Sequence, residues 1–410
     1  MVREILVAEA FGVSEELDTY YAAILIPTIL VNVVFRSLGT VATQRILNAQ
    51  INPDTTDFSR LIEESISWLL CFIVVVSALF ICFNSLLTRL LFSSFSPDAL
   101  EKCISISQLM VFLVVFGGSS AFLSCLLEAQ KSFAFVGFSQ IIPPAIIIIF
   151  LLLSNSCWSM SGLVAGTLIG VLLNFLFLLF AYLQKNRFSF KLLSFFRLPS
   201  RHLLSQFLSL SVASLVFSGS NAVDQQMASL LGPGSISSLN FSNKLISIFG
   251  TLLFTPLVTV IYPHLIELQS SLSNKQLLKL ITKCTAFVVL AALPITIAII
   301  IFSPQLVSLT FERGKFTQEA ANIVSLCQMM YAVQLPFQIG GMVLARLASA
   351  MSLNHILLRV GVIGFIANIA LNILLMKYLD VVGLALSTSL IYLITFFFLI
   401  IFIRKKLTLT

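Results

Sequence analysis

The chain has 410 residues, 58% hydrophobic and 10% charged, with a mean hydropathy of +1.04 and a formal net charge of +7. Soluble domains carry roughly 25% charged residues, so this balance excludes an ordinary soluble domain and predicts an all-α polytopic membrane protein. The basic excess follows the loops of such a protein, which argues against a nucleic-acid partner.

A spanning helix needs about 20 mostly apolar residues. Residues 1–11 are charged and too short to span, and they read as the second half of a truncated first helix. Arg3, Glu4 and Glu9 interrupt the only candidate for a cleavable signal peptide. A second helix is expected from Asp18 to Leu47, followed by helices over 65–91, 104–127, 133–153 and 160–183. A basic connection, 184–201, leads to helices over 202–231, 236–264, 281–303, 320–348, 357–376 and 381–403, and a basic tail closes the chain at 404–410. The expectation is about twelve helices.

The two halves repeat. At an offset of 220 residues (224 − 4), Glu4 meets Asp224, Ala8 meets Ala228 and Gly12 meets Gly232; one residue further, Thr167 meets Thr388. A nearly constant offset over the whole chain predicts two six-helix lobes, 1–183 and 202–403, joined by the basic linker. Six is even, so the lobes are parallel, and a substrate path is expected between them.

Basic residues divide unequally between the alternating loops. One side takes Lys185, Arg187, Lys191, Arg197, Arg201 and the tail residues Arg404, Lys405 and Lys406, with most of the others. The opposite side takes Arg89, Lys102, Arg313, Lys315 and Lys377. By the positive-inside rule the linker and C-terminus are cytoplasmic.

A few charges fall inside apolar sequence, where each costs about 2.5–3.5 kcal/mol on insertion scales and usually faces a cavity or a partner. Arg36 lies deep in the second helix, with Asn32 one turn earlier on the same face. Lys244 and Asp224 occupy opposite arms of a hairpin closed by the turn Gly232-Pro233-Gly234-Ser235. Arg3, Arg36, Lys244 and Asn32 are candidate substrate-binding residues. Glu4, Asp18 and Asp224 are candidate gate or ion-coupling groups; Asp18 reads first as a helix cap or an interfacial acid, and Asp224 also as a partner for Lys244 or a cation. Interior prolines kink membrane helices; Pro256 and Pro336, the latter just before Gly340 and Gly341, are the hinge candidates.

The seven cysteines form no CxxC pair and the three histidines no ligand spacing, so no metal site is expected. No P-loop, HExxH or GxSxG motif is present, and no enzyme reading is supported.

The opening VREILVAEAFGVSEELDTYYAAILIP, the segments GPGSISSLNFSNKL and TVIYPHL, and above all LTFERGKFTQEA resemble characteristic blocks of the MurJ/MviN family. The likeness covers nearly the whole chain. It implies a lipid II flippase of the multidrug/oligosaccharidyl-lipid/polysaccharide exporter superfamily, with a V-shaped central cavity between two lobes and alternating access. It further implies a role in peptidoglycan synthesis in the bacterial cytoplasmic (inner) membrane. The implied partners are a lipid-linked saccharide, membrane lipids and the cell-wall synthesis machinery, with no cofactor beyond a coupling cation. In this resemblance Arg3 stands at the arginine ending the family's first helix and Asp18 at its aspartate. Lys244 stands where a cavity arginine is common, and Ser247 where an acid often follows. Val31 and Asn32 occupy the place of a basic pair, which Arg36 replaces one turn on.

Two other readings compete. One is an exporter of a different lipid-linked oligosaccharide (O-antigen-like) or of a small cation. The other, of a different class, is a non-transporting membrane scaffold of the cell-wall machinery.

Overall fold

The computed structural model describes residues 1–51, 58–153, 160–185, 201–251, 274–351 and 353–409. Most of these are helical, with no strand among the described residues. In order they are α1 (Val2–Phe11), α2 (Glu15–Leu30), a π-helical turn (Val31–Phe35), α3 (Arg36–Ile51), α4 (Phe58–Leu91) and α5 (Pro97–Leu109). A second π-helical turn (Leu113–Gly117), α6 (Gly118–Ala129), α7 (Phe133–Ser139), α8 (Ile142–Leu153) and α9 (Met160–Lys185) follow. Then come α10 (Arg201–Ser229), α11 (Ser235–Phe249), α12 (Asn274–Phe311), α13 (Gln318–Ala332), α14 (Gln334–Ala350) and α15 (Asn354–Leu409).

Among the described residues, seven helical segments are long and apolar enough to cross a membrane, and the pair Pro97–Leu109 and Leu113–Ala129, bent by 45°, makes an eighth. The expected count of about twelve divides the chain differently for visible reasons. The first helix is only ten residues long. The expected 320–348 helix breaks at Val333, which leaves Pro336 in the first turn of α14, where proline removes no internal bond. The last two expected helices run on as α15, interrupted at Asp380 by a left-handed backbone (φ 47°).

The described chain forms two compact units. One is Glu15–Gly219; the other joins Arg3–Ser14 to Ser220–Thr410. The short N-terminal helix, expected with the first lobe, therefore belongs to the unit built by the second half of the sequence.

A glycine-rich junction holds α1 there. Among the described residues four glycines carry positive φ, which L-residues with a Cβ rarely adopt, and three of them line the junction: Gly12 (62°), Gly234 (87°) and Gly314 (59°). Each of these three also sits where a Cβ has no room. A Cβ on Gly12 would lie 2.3 Å from the Lys315 carbonyl oxygen, one on Gly314 would lie 2.4 Å from that of Glu9, and one on Gly234 would lie 2.6 Å from Val13. The Lys315 amide donates to the Glu9 carbonyl at 2.9 Å, satisfying an acceptor in the last turn of α1. Phe316 then plugs between Phe241 and Phe311, with ring centroids 5.6 and 5.7 Å away, and the Thr317 hydroxyl accepts from the Ala320 amide to start α13. Gly-Lys-Phe-Thr at 314–317 thus has a complete structural account: turn, clamp, plug and cap.

In the other unit the two π-helical turns meet. Phe35, fully buried, lies over Gly118, where an added Cβ would fall 2.6 Å from its ring. Gly39 similarly admits Cys125 and Phe122. These glycines act as sockets between packed membrane helices.

Gly314→Ala is expected to lower the thermal midpoint of the detergent-purified protein, since the left-handed backbone alone costs about 1–2 kcal/mol. Gly137→Ala, where an added Cβ meets nothing within 4 Å, should leave it unchanged. Equal midpoints for the two variants would contradict the clamp.

Candidate functional site

The α1 junction fixes the height of two charged helices. Glu4 lies eight residues before Gly12 (12 − 4), and Lys244 ten residues after Gly234 (244 − 234). At 1.5 Å per residue these are about 12 and 15 Å from the junction, so the two side chains arrive at a common level. The Lys244 ammonium lies 3.7 Å from Glu4 Oε1, and the Arg3 guanidinium donates to the same oxygen. The Glu4 side chain is only 5% exposed, against 28% for Arg3 and 47% for Lys244. A buried carboxylate thus holds two cations by one oxygen while both keep a face open. The cluster carries net positive charge.

The sequence grouping put Arg3 and Lys244 with substrate binding and Glu4 with gating; the geometry unites all three. Ser247, one turn beyond Lys244, hydrogen-bonds the Lys244 carbonyl with its hydroxyl.

Asp224 does not pair with Lys244 in the structure. Its carboxylate accepts from Asn368 Nδ2 at 2.9 Å, Asn372 Nδ2 at 2.6 Å and Thr388 Oγ1 at 3.3 Å. The two asparagines stand four residues apart on α15, one helical turn, so their amides line one face. Their carbonyl oxygens, and that of the neighbouring Gln225, are buried and without a hydrogen-bond partner. Three donors, from the Asn368, Asn372 and Thr388 side chains, therefore hold the Asp224 carboxylate. Sequence reading missed Asn368, Asn372 and Thr388 as partners. The available signal was two asparagines in an otherwise apolar helix, and a threonine at the repeat position of Thr167. Thr167 has a different use: its hydroxyl pairs with the Tyr20 hydroxyl at 2.8 Å within the other unit.

Arg36 and Asn32 belong to that other unit, and both are exposed. The π-helical turn Val31–Phe35 separates Arg36 from the regular helix before it and re-aims the side chain. Cys125 and Thr40 side chains bond the Arg36 carbonyl, at 4.0 and 2.9 Å. Asp18 is buried in the first turn of α2. Near it Ser96 donates to Glu15 at 2.8 Å, beside a cavity of about 620 Å³ bordered by Glu16, Thr19, Asp98 and Lys102.

Of the hinge candidates, Gly340 gives room to the Phe396 ring (2.6 Å from an added Cβ) and Val289 (3.0 Å), while Gly341 faces open space. Pro256 and the segment TVIYPHL lie outside the described residues. Among the described residues no group of three or more His, Cys, Asp or Glu is placed to hold a metal ion.

Asp224→Ala is expected to destabilise the protein by about 1–3 kcal/mol, because the donors of Asn368 and Asn372 lose their acceptor. Asp224→Asn, which keeps one acceptor oxygen, should cost less. Thermal unfolding in detergent measures both; equal losses would show that the amide cradle does not depend on the carboxylate.

Comparison with known proteins bears on this arrangement. Residues 7–410 match the family model described as lipid II flippase MurJ. A probable lipid II flippase MurJ of Thermotoga maritima is 25% identical over 409 residues, covering 97% of this chain and 80% of the relative. That of Rickettsia prowazekii is 24% identical over 294 residues, covering 71% of this chain and 58% of the relative. A solved structure of lipid II flippase MurJ in an inward closed conformation superposes with a TM-score of 0.83 at 22% identity, over 100% of this chain and 87% of that one. An inward-facing multidrug resistance MATE transporter of the MOP superfamily reaches 0.81 at 13% identity, over 99% of this chain and 93% of that one. These likenesses show the fold, and the match over nearly the full length shows the family: the chain is a multi-pass membrane protein that belongs to the lipid II flippase MurJ family.

Proposed function

We propose that the protein moves lipid II, the undecaprenyl-pyrophosphate-linked peptidoglycan precursor, from the inner to the outer leaflet of the bacterial cytoplasmic membrane by alternating access. The observation that carries the reading is the Arg3–Glu4–Lys244 cluster. A pyrophosphate needs cations in a partly dehydrated setting; Arg offers a planar fork and Lys a point charge. Glu4 keeps the two cations from repelling and holds them at one level. A dianionic ligand that competes for them releases the Glu4 contact, which gives the ligand a differential grip on two arrangements. Arg36, with Asn32, is the proposed substrate contact on the other unit. Asp18 and Glu4 are the proposed gate residues, and Pro256, Pro336, Gly340 and Gly341 the proposed flexing points. The C-terminus is placed on the cytoplasmic side by the positive-inside rule.

Asp224 is the proposed coupling site. Rotation of the Asn368 and Asn372 amides by 180° would turn their partnerless carbonyl oxygens toward the carboxylate. Oxygen ligands with a single negative charge suit a hard monovalent cation better than a transition metal. The Thr388 hydroxyl completes the set.

Expressed in cells depleted of their own lipid II flippase, the protein is expected to restore growth and outward exposure of lipid II. Lys244→Ala and Arg3→Ala should each lower exposure at least tenfold at equal membrane level. Stable expression without exposure would assign the protein to another lipid-linked oligosaccharide or to a scaffold role. For the coupling site, sodium is expected to raise the thermal midpoint of the wild type more than potassium at equal ionic strength, and Asp224→Asn should abolish that difference. Identical responses to the two salts would remove the cation reading and leave the flippase reading standing.

A further inference from the structure

A second feature lies apart from the charged cluster. Within the unit of Ser220–Thr410, a cleft of about 150 Å³ opens between α12, α14 and the last part of α15. Its walls are Leu278, Ile281, Val289, Leu344, Phe396 and Ile400, with Arg404 at one end. A dry cavity of that size accepts a benzene-sized apolar guest, equally a short run of an acyl chain. Gly340 shapes the inner wall: its missing side chain lets Phe396 and Val289 come together.

The cleft is ordered along its length. From Leu278 to Val289 is eleven residues of α12, about 16 Å. Basic residues flank the half of the cleft that begins at Leu278: Lys279 at that end and Lys283 midway, both exposed and one turn apart on α12, and Arg404, Lys405 and Lys406, exposed at the end of α15. No acidic residue occurs in 274–311 or 381–409. Between the charged and apolar ends sits Thr285, a buried side chain that lines the cleft. Threonines in membrane helices commonly bond the carbonyl one turn back, as Thr282 does with Leu278 at 2.8 Å. The Thr285 hydroxyl has no such partner, and a buried unpaired hydroxyl costs free energy unless something meets it.

We propose that this cleft binds an anionic glycerophospholipid. The phosphate lies among Arg404, Lys405, Lys406, Lys279 and Lys283; a glycerol-ester carbonyl accepts from the Thr285 hydroxyl; and one acyl chain fills the slot against Phe396 and Val289. The order charge, hydroxyl, hydrocarbon along the cleft matches the order phosphate, ester, chain along the lipid. Basic pockets between membrane helices are an established way of holding such headgroups. A zwitterionic lipid has the same chain and ester but brings a cation to the basic cluster. The site stands whether or not the flippase reading does, since it shares no residue with the Arg3–Glu4–Lys244 cluster.

Native mass spectrometry of the detergent-purified full chain with phosphatidylglycerol and phosphatidylcholine tests this. The wild type is expected to retain phosphatidylglycerol about tenfold better. Substitution of Arg404, Lys405 and Lys406 together by Gln should remove that preference while leaving the thermal midpoint in place. Ala286→Phe, at an exposed position that lines the cleft, should fill the slot and abolish retention of both lipids; Thr285→Val, nearly isosteric, should weaken both and serves if Ala286→Phe does not fold. Equal retention of the two lipids, or retention unaffected by these variants, would overturn the proposal. So would full displacement of phosphatidylglycerol by undecaprenyl pyrophosphate, which would assign the cleft to the transported lipid.

Discussion

The organisation of the unit built on Ser220–Thr410 depends on three backbone positions that only glycine fills. Gly12, Gly234 and Gly314 bring the end of α1, the α10–α11 turn and the α12–α13 loop within van der Waals range of one another. A Cβ at any of them would meet backbone or a β-branched side chain at 2.6 Å or less. The consequence is electrostatic. With the helix ends locked, the rise per residue decides where each charge sits, and Glu4 is delivered beside Lys244. A ten-residue helix is too short to hold its place by propensity; the clamp by Lys315 and the plug by Phe316 do so instead.

The Glu4 cluster and the Asp224 cradle solve opposite problems with the same kind of group. At Glu4 a buried carboxylate gathers two cations and leaves them half accessible. At Asp224 a carboxylate is surrounded by neutral donors, and the oxygens of the same amides go unused. The first arrangement presents positive charge; the second holds a carboxylate among neutral donors. The first suits the proposed pyrophosphate and the second the proposed coupling cation. The two threonines that the sequence offset pairs have different partners: Thr388 serves Asp224, whereas Thr167 serves Tyr20.

Much of the fold is legible in the sequence because apolar run length and loop charge are read residue by residue. The order of helices and the family follow from that and from the Gly-Lys-Phe-Thr block. The legible part of the site is the set of intramembrane charges, since Arg3, Glu4, Asp224 and Lys244 stand out against apolar neighbours. Their pairing is not legible. Lys244 reads as a partner for Asp224 on the opposite arm of its hairpin, and the contact goes instead to Glu4, 240 residues away (244 − 4). Only the packing of α1 with the second half of the chain decides that, and no local pattern reports it. The π-helical turn before Arg36 is equally silent, because Val-Asn-Val-Val-Phe is compatible with an ordinary membrane helix. Gly340, a hinge candidate in sequence, also gives room to Phe396, a packing contact that no local pattern reports.

The central claim is that the cations held by Glu4 grip a pyrophosphate-linked lipid. Direct binding of lipid II to the purified protein, compared between the wild type and Lys244→Gln with undecaprenyl phosphate as competitor, measures it. The account predicts tight binding in the wild type that a single phosphate displaces poorly, and a loss of at least tenfold in Lys244→Gln. Equal affinity of the two proteins for lipid II would contradict it.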